Sequence, residues 1–238
     1  MACSTRGRGQ ERLRIGRRRA ISGPSGARGT VARMAKRVRR IDVDPDRFQA
    51  LAPPRPIPNF DGQPLGQLAT SAMTPVNPRP EPSDFFSLWI SGAFACSSRA
   101  ADLIGKRMRE YGELLEGQIE GGDEVLIFNC TNLVDCLDPG RTKWEIGPRS
   151  GTRLRVLRYW FRRDRLPQVG TLFKLPETAQ TELLTIDDPE TPELGFVAEA
   201  QRAGLVGLTA IPLDEFARHN EAMWGFDPRF ADKQRQQG

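Results

Sequence analysis

The densest run of prolines in the chain limits what its first half can fold into. Nine prolines fall between Pro53 and Pro82, within thirty residues of a 238-residue chain. Proline lacks a backbone N–H and fixes φ near −65°, and it also pushes the preceding residue toward extended conformations. The segment 53–82 is therefore predicted to hold no regular helix and to run as an extended stretch that wraps around the rest of the protein.

On either side of this segment, apolar patterning predicts short strands and a capped helix. "RRIDVD" reads as a strand ended by Pro45, and "FFSLWIS" (85–91) as a second strand. The next helix is predicted to start at Ser97 or Ser98 and to end at Gly112. Its apolar side is predicted to carry Leu103, Ile104, Met108 and Tyr111.

Later segments predict a hairpin, further strands and a second helix. "ELLEGQIE" and "EVLIFNC" flank Gly121-Gly122-Asp123, a hairpin signal. A long strand is predicted at 153–162, and shorter ones at "TLFKLP", "ELLTID" and "LVGLTAIPL". "DPETPELGFVAEAQRAG" is predicted to be a helix capped by Asp188 or Thr191 and ended by Gly204. Strict βαβ alternation is missing, so the prediction is an α+β fold with a mixed, mainly antiparallel sheet and two or three helices.

The charge is divided unevenly along the chain. Residues 1–40 hold 13 Lys/Arg and one acid, for a net +12, whereas residues 41–238 hold 22 Lys/Arg and 29 acids, for a net −7. A basic, Gly- and Ser-containing stretch buries too little apolar surface to order itself, so residues 1–33 are predicted to be a disordered tail. Alternatively, the natural chain starts at Met34, and residues 1–33 are upstream sequence included by an overlong gene prediction. Residues 34–238 are predicted to form one domain.

The location predicted from composition is the cytoplasm. No run approaches the ~20 apolar residues of a membrane span, and the four cysteines are too few for a disulfide framework in a chain of this length. We therefore expect a cytoplasmic protein without membrane contact.

"FNCTNLVDCLD" (128–138) holds the residue types of a metal or thiol site without the spacing of one. Cys130 and Cys136 are six residues apart, and the only histidine, His219, is distant in sequence. Buried core cysteines are the commoner case. We therefore expect no metal, no cofactor and no catalytic residue, and we expect Asn129, Asn132 and Asp135 to hydrogen-bond nearby backbone at a strand end or turn.

Two neighbouring segments carry opposite charge. Residues 110–138 hold eight acids and no Lys or Arg, and residues 141–165 hold nine Lys/Arg and two acids, interleaved with Trp144, Tyr159, Trp160 and Phe161. The first is typical of a surface that attracts a cationic partner, or simply of a solvated hairpin. The second is typical of a nucleic-acid-binding segment, or of a strand with one solvated arginine face.

The order of segments resembles a family of bacterial polymorphic-toxin immunity proteins first defined on a myxobacterial protein. The resemblance rests on the segments "GQPLGQL" (62–68), "CSSRAADLI" (96–104), "IFNCTNLVDCLD" (127–138), "RVLRYWF" (155–161), "TLFKLP" (171–176) and "AGLVGLTAIPL" (203–213). None of them is a catalytic motif. The resemblance implies a non-enzymatic protein that binds and blocks a cognate toxin encoded nearby.

Three functional hypotheses follow. The leading one is an immunity protein that contacts its toxin through acids around the hairpin turn, namely Glu113, Glu116, Glu120, Asp123 and Glu124. The second is a nucleic-acid-binding protein that uses the basic N-terminal tail and residues 141–165. An enzyme comes third, because metal, phosphate-loop and triad patterns are missing from the sequence.

The composition of the tail generates a first prediction. We expect the chain beginning at Met34 to unfold at the same temperature as the full-length chain, because residues 1–33 lack apolar clusters that would pack on a domain. Thermal unfolding followed by circular dichroism measures this. A melting temperature lower by many degrees in the shorter chain would show that the tail contributes to the folded domain.

Overall fold

The architecture is taken from a computed structural model that describes residues 38–53, 55–68, 72–76, 80–88 and 92–213. Twelve strands are present: β1 Val38–Asp42, β2 Ala50–Ala52, β3 Ala72–Pro75, β4 Phe85–Leu88, β5 Ala93–Ser97, β6 Gly112–Ile119, β7 Glu124–Cys130, β8 Lys143–Ile146, β9 Arg153–Arg158, β10 Leu172–Phe173, β11 Leu184–Ile186 and β12 Thr209–Pro212. Within the described ranges, the helices are α1 Ser98–Arg109 and α2 Phe196–Arg202, with two short 3-10 helices at Arg163–Arg165 and Pro192–Leu194. Strands dominate and two helices accompany them, so the fold class is α+β, as predicted.

Six strands close into a barrel in the order β2-β3-β6-β7-β5-β4. The pairs β2·β4 and β3·β6 are parallel, and the other pairs are antiparallel. Leu51, Met73, Leu115 and Ile127 meet in its core. Gly117 lets β6 approach β3, because a Cβ there would lie 2.8 Å from Met73 Cε. The predicted hairpin around Gly121 is confirmed as β6–β7.

Helix α1 packs on the outside of this barrel. The Ser97 side chain accepts a hydrogen bond from the Ala100 N–H at 3.1 Å, which settles the cap in favour of Ser97 over Ser98. Ile104 and Met108 are buried in a cluster that includes three phenylalanines in ring contact, with Phe85 edge-on to Phe94 and Phe94 tilted against Phe128. Leu103 was predicted to face this core and is instead 53% exposed. It lies one position before Ile104, which places it off the buried stripe.

A second sheet has the order β10-β11-β1-β12, and all its pairs are antiparallel. β1 lies in the centre although it is the first described strand, so the sheet joins residues about 170 positions apart, such as Arg40 and Ile211. Its apolar side forms a separate core cluster with the base of a two-stranded sheet, β8–β9. Val38, Phe173 and Leu213 belong to that cluster.

The described part of the proline-rich segment holds no helix, as predicted, but it contributes a barrel strand, β3. Phe60, from the same segment, is buried in the barrel core. The prediction that the segment only wraps around the fold was therefore incomplete, because β3 supplies one of the parallel pairs that close the barrel.

Several boundaries differ from the prediction for local reasons. Strands β2, β5 and β8 were not predicted, and β9 ends at Arg158 because the following residues pair with 136–138 instead. α2 begins at Phe196 with Gly195 as its cap, since Pro192–Leu194 forms a 3-10 turn first. Gly204, with φ of +70°, follows the end of α2 as predicted. Residues 1–33, the start at Met34 and the stretch after Leu213, with His219, lie outside the described residues.

The longest helix that the structure describes is α1, with twelve residues. Within the described ranges, no helix has both the length and the apolar character needed to cross a membrane.

The cap of α1 generates a second prediction. Ser97→Ala removes the bond to Ala100 and a 3.2 Å bond to Asp84 Oδ1, so we expect a loss of about 1–2 kcal/mol in the free energy of unfolding. Ser98→Ala is the matched control, because Ser98 is exposed in the first turn, and we expect a change within about 0.5 kcal/mol. Urea unfolding measures both. Equal losses would place the cap elsewhere.

Candidate partner-binding site

The β6–β7 hairpin presents a group of carboxylates at its turn. Gly121 takes φ of +70°, and the Gly122 N–H bonds the Ile119 carbonyl at 3.0 Å, which makes a tight reversal. Glu120 and Asp123 flank the two glycines, and Gln118 lies opposite Glu124 in the register. The hairpin is fixed to its neighbour because the Glu120 N–H bonds the Met73 carbonyl at 2.9 Å.

Alternation along β6 sets which of its side chains face outward. Leu115 and Gly117 face the barrel core, so Leu114 and Glu116 face the opposite side. Leu114 and Leu126 pack beside α1, and Glu116 lies further along the same face, opposite Leu126. Glu124 is diagonal to Glu116, with Cβ atoms roughly 7–8 Å apart in such a pair.

Four of the five acids predicted as contact residues are brought together here. Glu116, Glu120, Asp123 and Glu124 are exposed, and in the described part of the chain none of their side chains forms a hydrogen bond or an ion pair. We call these four residues the acidic tip. The backbone of this hairpin is paired with neighbouring strands on both sides, so the positions of the four charges are fixed relative to the barrel.

The fifth predicted residue, Glu113, has an internal role. Its carboxylate accepts hydrogen bonds from the Leu65 N–H at 2.6 Å and the Gly66 N–H at 3.0 Å, and from the Asn129 side-chain amide at 2.8 Å. Glu113 therefore uses its charge to hold the proline-rich segment, and it is separated from the acidic tip. Nothing in the sequence distinguishes it from Glu116, three positions later.

The asparagines of "FNCTNLVDCLD" were predicted to bond nearby backbone, and this was wrong. The buried Asn129 donates to the Gln63 carbonyl at 2.9 Å, and Asn132 donates to the Leu172 carbonyl at 2.8 Å. Asp135 forms ion pairs with Arg162 and with Arg165. The three residues join segments 27 to 66 positions away, because β7 ends where several strands converge. Only the Asp138 side chain makes a local turn contact, because it accepts hydrogen bonds from the backbone N–H groups of Gly140 and Arg141.

Three of the four cysteines fall in the described residues, and these lie in the core. Cys96, Cys130 and Cys136 are free and fully buried. Burial raises the pKa of the Cys96 and Cys136 thiols to about 12 and that of Cys130 to about 11. A thiol with so high a pKa carries almost no thiolate at neutral pH, so it is a poor nucleophile. Among the described residues, no group of three Cys, His, Asp or Glu is arranged to hold a metal ion.

Sequence reasoning missed Lys174, which is fully buried. Its ammonium donates to the Phe60 carbonyl at 2.6 Å, and burial lowers the pKa of Lys174 from its usual 10.5 to about 8. Together with Asn129 and Glu113, it anchors residues 60–66 to the barrel. A charged residue inside the apolar run "TLFKLP" was the available signal, since a strand on a core sheet seldom holds an unpaired lysine.

Sequence reasoning also missed a buried Tyr159–Glu182 pair. The Tyr159 hydroxyl donates to Glu182 Oε1. Burial raises the pKa of both groups. The charge of Glu182 and its hydrogen bond raise the pKa of Tyr159 further, whereas the hydrogen bond from Tyr159 partly offsets the rise in the pKa of Glu182. The pair joins the end of β9 to the loop before β11. The two residues are widely separated in sequence, and no local pattern pointed to them.

A cleft of about 1100 Å³ opens between β1, the β4–β5 side of the barrel, the loop 176–183 and the β8–β9 sheet. Its walls mix apolar and charged residues of both signs, among them Ile41, Phe94, Leu133, Asp61 and Arg153. Glu182 lies on one wall, but its Oε1 is bonded to Tyr159 in the interior. The cleft brings together opposite charges, in contrast to the single-sign acidic tip.

The buried lysine generates a third prediction. The unfolded chain keeps the Lys174 proton up to pH 10.5, whereas the folded protein releases it from about pH 8. The unfolded state therefore binds more protons in this window, so the contribution of Lys174 to stability rises with pH across it. We expect the wild type to gain on the order of 1–3 kcal/mol relative to Lys174→Met between these two pH values.

Urea unfolding of both proteins across this pH range is the measurement. The thiols, whose pKa is raised, work in the opposite direction, but they are present in both proteins and cancel in the difference. Parallel stability profiles would mean that Lys174 titrates in the folded protein as it does in water.

Comparisons with known proteins leave the function to be inferred from this geometry. No protein-family model matches the chain, and no curated protein matches it. The resemblance to immunity proteins therefore stands on the order of its short sequence segments and remains a hypothesis about function.

Proposed function

We propose that the protein is an immunity protein that binds a cationic toxin domain through the acidic tip and blocks it. The observation that carries the proposal is the tip itself: four exposed carboxylates on one rigid hairpin, without internal partners in the described chain. The order of the sequence segments supports the same class of function.

Electrostatics favours a cationic partner. Like charges held close together repel one another, so an unpaired group of carboxylates carries a cost that an oppositely charged surface relieves. Domains that act on nucleic acids commonly have such positive surfaces, because they must bind phosphates. A single-sign tip on a protruding turn would accelerate the encounter and fix the orientation of the partner.

A non-catalytic role is consistent with where the reactive groups lie. The three cysteines among the described residues are buried, as are Lys174, Tyr159 and Glu182, and the last three are hydrogen-bonded within the protein. A nucleophile or general base must come within hydrogen-bonding reach of its substrate. The groups with altered pKa in this protein support packing and segment anchoring instead.

The tip generates a fourth prediction, on binding. We expect Glu116, Glu120, Asp123 and Glu124 changed together to Lys to slow association with the toxin domain encoded beside the gene, by tenfold or more at low salt, with folding retained. The wild-type association rate should fall steeply with salt, and the variant rate should not. Stopped-flow or surface-based kinetics at two salt concentrations measures this.

A matched control changes four exposed acids elsewhere to Lys: Asp102, Asp164, Glu177 and Glu193. The change in net charge is the same, so it separates the tip from the overall charge. Equal slowing by both variants would remove the tip from the interface. Failure of the wild-type protein to bind the toxin or to rescue cells that express it would overturn the proposed function.

A further inference from the structure

The β8–β9 sheet is a two-stranded ribbon that packs into the core through Trp144 and Val156. We call residues 141–158 the basic ribbon. Trp144 and Val156 pack into the core cluster beneath the second sheet. Toward the turn, Ile146 is 50% and Leu154 58% exposed. In the part of the chain that the structure describes, no third strand pairs with β8 or β9, and Arg153 to Val156 of β9 line the cleft described above.

Most cations of this region lack a carboxylate partner. Of the nine Lys/Arg in residues 141–165, Arg155 pairs with Glu145, and Arg162 and Arg165 pair with Asp135. Six exposed cations remain, and the described residues place no carboxylate within ion-pair distance of them: Arg141, Lys143, Arg149, Arg153, Arg158 and Arg163. This positive charge lies within a body whose net charge is −7 over residues 41–238.

Three of these arginines are held in place by aromatic rings instead. The guanidinium carbons of Arg141 and Arg158 lie 4.0 Å and 5.3 Å from the centre of the Trp160 ring. That of Arg153 lies 5.0 Å from the centre of the Trp144 ring. Stacking orders a guanidinium without neutralising it and leaves its N–H groups at the edge of the plane free to donate. Such arginines lose little further entropy when they bind an anion.

The register adds a repulsion that only an external anion would relieve. Lys143 lies directly opposite Arg158 across the two strands. Like charges at directly opposed positions destabilise a sheet. The ribbon therefore carries an arrangement that weakens it in isolation and that a polyanion would stabilise.

We propose that the basic ribbon is a binding site for the phosphate backbone of duplex nucleic acid, with the ribbon lying along a groove. The inference goes beyond the proposed toxin binding and does not rest on it, because the acidic tip belongs to a different hairpin. Five of the six unpaired cations are arginines, whose planar donors match phosphate oxygens.

The dimensions of the ribbon fit a groove. Arg153 and Arg158 are separated by five residues of strand, roughly 17 Å at the usual rise. The major groove of B-DNA is about 12 Å wide and admits a two-stranded ribbon. Because Arg153 and Arg158 are five positions apart, they lie on opposite faces of β9, so a ribbon in the groove directs cations toward phosphates on both of its sides. The exposed Ile146 lies opposite Arg153 in the register and Leu154 follows Arg153, so both apolar side chains lie at the turn end of the ribbon, where they can contact base edges and sugars.

The test is fluorescence anisotropy of a labelled duplex of roughly 20 base pairs, titrated with the full chain at several salt concentrations. The ribbon variant carries Arg149→Gln, Arg153→Gln and Arg158→Gln. We expect its affinity to fall at least tenfold near physiological salt. The slope of log affinity against log salt should fall in magnitude by about 3, since each lost phosphate contact contributes about 0.9.

A matched control removes three exposed cations elsewhere, with Arg55→Gln, Lys106→Gln and Arg109→Gln. Both variants retain the basic N-terminal residues, so the contribution of that stretch is the same in each. We expect the control to keep most of the wild-type affinity and salt slope. Equal losses in the two variants would overturn the proposal, because binding would then follow net charge alone.

The single substitution Arg149→Gln tests the proposal even if the triple ribbon variant misfolds. Arg149 is exposed in the turn and stacks on neither tryptophan, so its loss disturbs no internal contact, and we expect the salt slope to fall by about 1. An unchanged slope would overturn the proposal.

Two other occupants are tested in parallel. Tighter binding to vesicles rich in anionic lipid than to the duplex, lost in the ribbon variant, would assign the ribbon to a membrane surface. Self-association in analytical ultracentrifugation that the ribbon variant abolishes would assign it to a second copy of the chain. Either result would overturn the nucleic-acid assignment, and neither bears on toxin binding by the acidic tip.

Discussion

Lys174, Asn129 and Glu113 satisfy the backbone of the proline-rich segment where Phe60 enters the barrel core. A segment with so many prolines lacks the N–H groups for a full ladder of its own, and buried backbone groups without partners are costly. The three side chains supply those partners. Because β3 and Phe60 come from the same segment, the closure of the barrel depends on these contacts.

The same contacts decide which acids remain available at the surface. Glu113 accepts hydrogen bonds from the segment, so its carboxylate oxygens are occupied by donors inside the protein. Glu116, on the opposite face of the same strand, is left to solvent with the rest of the acidic tip. The barrel thus uses one carboxylate for internal hydrogen bonds and exposes the four of the acidic tip.

Two hairpins of opposite charge follow one another along the chain and divide the surface. The β6–β7 hairpin is paired on both sides within the barrel, and its charges gather at the turn. The β8–β9 ribbon pairs with no third strand among the described residues, and its cations are spread along its length and ordered by tryptophans. The compact group suits a localised partner contact, whereas the extended row suits a linear polyanion.

Features that depend on near neighbours could be predicted from the sequence. The Ser97 cap, the Gly121-Gly122 turn and the end of α2 before Gly204 are set by residues within one turn of each other, and they appear as expected. Strands that form only because they pair with residues far away in the sequence could not be predicted. β3 lies among prolines and β5 and β8 are short, so their strand character comes from partners elsewhere in the sheets.

The sequence by itself determined the fold class, the hairpin that carries the acids and the separation of charge between two segments, because composition and local period suffice for these. Only the tertiary structure decided that Asn129 and Asn132 join distant segments, that Lys174 is buried and that Glu113 is internal. The physical reason is that the state of a charged or polar side chain is set by the donors and acceptors that folding brings to it, and these come from residues tens of positions away.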